Sequence, residues 1–179
     1  MQILIATTTH SYRSRQLEVI GLQDQLLSMG ATVDVLTLPF AMKSSTIVAQ
    51  ATAYRLLDVS QSADWLLSLS APTNLLQHPK KIVVVSDDMG LLTDCWEKKF
   101  LASTSASSVA EHNLLIRAES FALTESQLKL CFSSWTSNRL RRCQLDGFKI
   151  VEPNDCAEQV MKFIASFSKT TASTGRLSA

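Results

Sequence analysis

Glycine is scarce in this sequence, at five residues in 179. Neither G-x-G-x-x-G nor G-x-x-x-x-G-K-[ST] occurs, so the backbone loops that most often cradle a dinucleotide or a nucleoside triphosphate are missing. A G-x-S-x-G nucleophile elbow is missing too. Cysteine is limited to Cys95, Cys131, Cys143 and Cys156. None of them forms a C-x-x-C pair and no spacing suits zinc, so no metal site is expected from the cysteines. Charge of one sign is not in excess: the net charge is +1, which gives no field for nucleic acid or an anionic membrane. No apolar run approaches the length of a membrane span, and Met1 to Ala6 lack the basic flank of a signal peptide. These absences point to a cytoplasmic protein with reduced thiols, no integral membrane span and no nucleic-acid partner. Peripheral contact with a membrane surface stays open.

What is present is a moderately apolar chain, 46% hydrophobic and 18% charged, long enough for one domain with a substantial core. Short apolar runs recur at Ile3–Ala6, Trp65–Leu69, Ile82–Val85, Leu128–Phe132 and Phe148–Val151. Each stops at small polar residues or proline, as strands buried on both faces do. Thr32–Thr37 alternates and is β-branched, which also reads as a strand. Between these runs the period changes to that of helices. The expected helices cover Arg13 to Leu27 with Gly30 as the stop, about Thr46 to Val59, Leu91 to Leu101, Ala110 to Glu125, Trp135 to Cys143 and Asp155 to Ser168. A turn of helix is expected near Thr73–Gln77. Strand and helix alternate throughout, which predicts an α/β fold: one domain with a mostly parallel, doubly wound, Rossmann-like sheet and helices on both faces. Residues 169–179 are rich in Ser and Thr without a pattern and read as a disordered tail.

In open parallel sheets the ligand crevice lies outside the carboxyl ends of the strands. Three loops there carry chemistry. The first, after Ala6, holds His10 and Arg13 beside a helix start suited to anions. The second, Ser86-Asp87-Asp88, puts two carboxylates at a strand end, as general base or hard-cation ligand or simply as a turn. Adjacent residues of an extended segment point to opposite faces, so both rarely serve one site. The third holds Ser134, Ser137 and Arg139, whose hydroxyls, helix-start amides and guanidinium suit a sugar or a phosphate. Asn138 to Arg142 otherwise reads as a solvated basic face. His78 precedes Pro79 at the opposite end of a strand and reads as structural. Trp65, Trp96 and Trp135 read as core.

One ordered set of segments resembles a known family. It comprises a strand at the start, Met29-Gly30 ending a helix, and Ala31-Thr32-Val33-Asp34-Val35-Leu36-Thr37-Leu38-Pro39-Phe40. Next come Ala53 to Asp58, Ala63-Asp64-Trp65, His78 to Val85, Glu119 to Leu123 and Ser134 to Leu140. In order and spacing they resemble the N-terminal, acceptor-side half of a GT-B glycosyltransferase of the group 1 or family 4 kind. The resemblance covers residues 1–153, with 154–168 as a C-terminal helix that packs back on that domain. It implies an acceptor-binding domain that transfers a sugar from a nucleotide-sugar only when a separate donor domain complements it, on a partner chain or in a homodimer. A hexosyltransferase activity and a sugar or glycan acceptor would follow, without a covalently bound cofactor. Asp87, Asp88 and His10 would be the catalytic candidates, with Arg13, Ser86, Ser134, Ser137 and Arg139 binding substrate. The sequence departs from the family where Thr9 to Arg13 replace a glycine pair and Ser86-Asp87-Asp88 replace a histidine. It also stops where the donor domain would begin. Those departures give the alternative expectation, a non-catalytic binding or scaffold module of the same fold.

Overall fold

The computed structural model describes residues 1–9, 12–41, 43–69, 71–85, 106–142 and 145–174. Six strands form one sheet: β1 (Gln2–Thr8), β2 (Thr32–Leu38), β3 (Trp65–Ser68), β4 (Lys81–Val85), β5 (Leu128–Cys131) and β6 (Lys149–Ile150). Among the described residues five α-helices connect or follow them: α1 (Tyr12–Ser28), α2 (Ser44–Leu56), α3 (Ala106–Thr124), α4 (Ser134–Arg142) and α5 (Cys156–Thr174). Every strand pairing is parallel, and the spatial order is β2-β1-β3-β4-β5-β6. The expected parallel, doubly wound sheet with helices on both faces is therefore present. The order reverses between β1 and β3, which makes the carboxyl end of that pair the topological switch point.

The strand side chains alternate between two cores. Ile3 and Ile5 of β1, Trp65 and Leu67 of β3, and Ile82 and Val84 of β4 face α1 and α5, meeting Val19, Leu22, Val160 and Ile164. Leu4, Ala6 and Leu66 face the other way, onto Ile47, Ala51 and Tyr54 of α2 and Leu115 and Ala122 of α3. Val83 and Val85 continue that second face onto Leu123 of α3 and Leu140 of α4. Such two-sided burial is why these runs are apolar at consecutive positions and not at alternate ones.

Local signals set most of the boundaries. Gly30 takes φ +83° after α1, and the amides of Gly30 and Ala31 return to Leu27 O at 3.0 Å and Leu26 O at 3.2 Å. That is the paired closure of a helix by a left-handed glycine, open at low cost only to a residue without Cβ. Helix α2 ends at Leu56, earlier than its apolar pattern suggests. The chain there turns so that Gln77 N donates to Leu57 O at 2.9 Å and Asp58 bridges to Gln77. Helix α5 reaches Thr174, so residues 169–174 of the expected tail are helix. The helix expected at Leu91–Leu101 lies outside the described residues.

Trp65 and Trp135 have opposite fates. Trp65 is 3% exposed and meets Phe163 and Phe167 of α5 edge to face, with centroids at 5.9 and 5.2 Å. Trp135 is 60% exposed, which corrects its reading as core. Helix α4 turns Thr136, Ser137 and Leu140 inward, and the 100° step per residue leaves Trp135 on the outside, where Arg139 lies over its ring at 4.9 Å.

Candidate functional site at the carboxyl edge of the sheet

At the β1/β3 reversal the apolar strands end in hydroxyls. Thr7, Thr8, Ser68 and Thr73 are all buried polar residues. After β3 the chain passes a cis Ala71–Pro72 peptide and forms a single 3-10 turn, Thr73–Leu75. Thr73 Oγ1 donates to Ala6 O of β1 at 3.2 Å and lies 2.8 Å from Ser68 Oγ. A hydroxyl has one proton to give, so Ser68 is the donor of that second bond. The turn is thus stitched to both strands that flank the switch point. Thr9 extends the edge outward, its amide donating to Leu38 O at 3.0 Å and its Oγ1 accepting from Phe40 N at 3.3 Å.

The turn is also held from beneath. Lys81, the first residue of β4, is fully buried and sends its ammonium to Asn74 O at 3.0 Å and Leu76 O at 3.2 Å. Glu125 lies 3.6 Å from the same ammonium and is gripped by Arg55 of α2 through two bonds of 2.7 Å. Burial lowers the Lys81 pKa to about 8; Glu125 opposes this shift and the Arg55 charge adds to it. The Glu125 carboxyl is held below its ordinary range, chiefly by the Arg55 hydrogen bonds. Asn74 and Glu119 are buried alongside, with Asn74 Nδ2 donating to Glu119 Oε1 at 3.3 Å. A buried lysine survives here because two carbonyls and a carboxylate replace its water.

Farther along the same edge, β5 leads into α4. Ser133 Oγ accepts from Thr136 N at 3.1 Å and donates to Thr136 Oγ1 at 3.2 Å. This is an N-cap, worth about 1 kcal/mol to the helix. Ser134, exposed in the first turn, stands at the mouth of the edge. Ser137 is buried against the sheet, and Arg139 is engaged with Trp135 on another side of the helix. The expected trio therefore divides: Ser134 is exposed, Ser137 is buried, and Arg139 is stacked on Trp135. Arg13 lies in the first turn of α1, following β1, and its side chain is outside the described set. His10, Ser86, Asp87 and Asp88 lie outside the described residues. In the sequence, His10 comes two residues after the end of β1 and Ser86 directly follows β4.

Ser68, Thr73 and Lys81 are the residues that sequence reasoning did not single out. Ser68 carried a usable signal, because it interrupts an apolar run near a predicted strand end. Lys81 carried none, since a lysine beside Lys80 ahead of a strand reads as solvated.

A depression of about 450 Å³ lies at the opposite, amino edge, lined by Asp58, Ser60, Gln77, His78, Pro79 and Glu125. Its polar groups are already committed. Asp58 accepts from Ser60 N at 2.8 Å, which holds its carboxyl below the usual range. Gln77 Nε2 donates to Arg55 O at 2.7 Å. His78 accepts from Lys80 N at Nδ1, at 3.0 Å, so its Nε2 carries the proton donated to Ala63 O at 3.1 Å. A wall so engaged holds its loops together and offers little to a ligand.

Among the described residues no group of three or more His, Cys, Asp or Glu side chains is placed to hold a metal ion. No described helix is long and apolar enough to cross a membrane. No protein-family model and no curated protein matches the sequence. Fold and site together define a class: a parallel α/β domain of Rossmann-like build, with a hydroxyl-bearing edge at the switch point of its sheet.

Proposed function

We propose that residues 1–153, with the C-terminal helix that follows, form the acceptor-side domain of a GT-B-type glycosyltransferase. It binds a sugar or glycan acceptor, and a nucleotide-sugar bound by a donor domain outside these residues supplies the transferred hexose. The observation that carries this reading is the β1/β3 switch point, where open α/β sheets bind ligands; Thr9 is exposed on its rim, while the hydroxyls of Thr7, Thr8, Ser68 and Thr73 are buried beneath it. Neutral hydroxyls and backbone amides match the donors and acceptors of a sugar. The lack of a glycine-rich loop argues against a pyrophosphate on this domain. The resemblance of residues 1–153 to the acceptor half of that family points the same way. In this reading one of Asp87 and Asp88 is the general base that takes the proton from the acceptor hydroxyl. His10, Arg13, Ser86 and Ser134 are then the residues that bind the acceptor, and the protein works in the cytoplasm.

Calorimetry tests this. Free glucose, mannose and N-acetylglucosamine serve as acceptor probes, with UDP-glucose and GDP-mannose as donors. The expected result is weak binding of at least one free sugar and none of either donor. An Asp87→Asn/Asp88→Asn double variant is expected to lose that binding at least tenfold. Tight donor binding by the chain would refute the division of labour. A second reading, the non-catalytic module of the same fold, is favoured by Leu114 and Phe121, apolar and exposed one above the other on α3. It predicts no sugar binding in either series.

A further inference from the structure

The free edge of β2 carries an inference independent of the sugar reading. The amide of Thr32 donates to Met1 O at 2.9 Å, and Leu38 O accepts from Thr9 N at 3.0 Å. Both ends of β2 thus spend the polar groups of their even-numbered residues on β1, in a register that runs unbroken from Gln2↔Thr32 to Thr8↔Leu38. In a strand, a residue's N–H and C=O point to the same side and alternate along the chain. Val33, Val35 and Thr37 therefore direct theirs outward, and among the described residues nothing hydrogen-bonds them. Apart from one charge, this edge has none of the usual guards against pairing. It is long, it is β-branched at Thr32, Val33, Val35 and Thr37, and it contains no lysine, proline or glycine. Its single charge, Asp34, stays exposed but is turned toward β1, where it accepts from Gln2 Nε2 at 2.8 Å. Helix α1 covers Val33 but leaves Val35 39% exposed, so the helix does not overhang the middle of the edge.

We propose that β2 pairs with β2 of a second copy of this chain, antiparallel about a two-fold axis at Val35, joining two sheets into one. The register fixes the partners. Val35 faces Val35 of the second copy and Val33 faces its Thr37, so each outward N–H and C=O finds its complement. Asp34 falls opposite Leu36 and never directly opposite its own equivalent. This self-complementarity is what a two-fold interface requires, and it favours a second copy over an unrelated extended peptide.

Sedimentation of the full chain over a wide range of concentration is the test. The expected mass at high concentration is that of two 19.7 kDa chains. Val35→Lys places two ammonium groups at the axis and is expected to abolish the dimer while leaving the far-UV circular dichroism unchanged. Val35→Cys is expected to cross-link on mild oxidation. Facing residues of a hydrogen-bonded antiparallel pair have Cα atoms about 5.5 Å apart, within disulfide reach. A wild-type mass of one chain at every concentration overturns the proposal. So does a dimer that survives Val35→Lys, or a dimeric Val35→Cys protein that does not cross-link.

Discussion

Replacing Trp65 with alanine should lower the unfolding free energy by about 3–5 kcal/mol, the range for large aromatic-to-alanine changes in cores. Trp65 opens β3, is 3% exposed, and fills the space between the sheet and α5 against Phe163 and Phe167. Its removal leaves a cavity that two phenylalanines on one helix cannot close without moving the helix. For a chain of this length each kcal/mol shifts the midpoint by roughly 2–4 °C, so a fall on the order of 10 °C is expected in a thermal melt. A milder Phe167→Leu change keeps most of the volume and should cost under about 1.5 kcal/mol. If Trp65→Ala costs less than Phe167→Leu, α5 does not seal this face of the sheet in solution.

The second large effect belongs to Lys81 and appears with pH. Its folded-state pKa is about 8 against an ordinary 10.5, because the ammonium is buried. Between those values the unfolded chain holds the proton and the folded chain does not. Unfolding free energy therefore rises with pH across that window, by roughly 3 kcal/mol in total. Below pH 8 both states hold the proton, and the penalty for burying the charge is present in full. Tyr54 acts with the opposite sign at higher pH. Burial raises its pKa from 10.0 to about 12, so the unfolded chain loses that proton first and stability falls above pH 10. Denaturant titrations of wild type and Lys81→Met at several pH values separate the two. The difference between the proteins should shift toward wild type as pH goes from 8 to 10.5. Parallel curves would mean that the Lys81 ammonium is as comfortable folded as unfolded.

Much of the architecture was legible because the information is local. The runs at Ile3, Trp65 and Ile82 are apolar at consecutive positions, short and bounded by turn residues, as strands of a sheet covered on both faces are. Gly30 marks the end of α1 by the one backbone conformation other residues avoid. The strand order was not legible, because no residue of β3 records that it pairs with β1 and not with β2. Lys81 shows the same limit within the site. Its burial depends on the carbonyls of Asn74 and Leu76 and on Glu125, which the chain brings together only after folding. Trp135 went astray for a different reason. Composition treats all tryptophans alike, whereas the helical phase set by the Ser133 cap places Thr136 and Ser137 inward and Trp135 outward. The candidate trio of Ser134, Ser137 and Arg139 divides by that same phase.

The carboxyl edge at the β1/β3 reversal, and not the depression at the amino edge, is where the sugar is expected to bind. Backbone amide shifts, followed by NMR as glucose, mannose or N-acetylglucosamine is added, test it most directly. The amides of Thr8, Thr9 and Ser68 are expected to move together and saturate with one affinity, while those of Asp58, Gln77 and His78 stay still. Shifts confined to Asp58, Gln77 and His78, or no shifts at any sugar concentration, would contradict it.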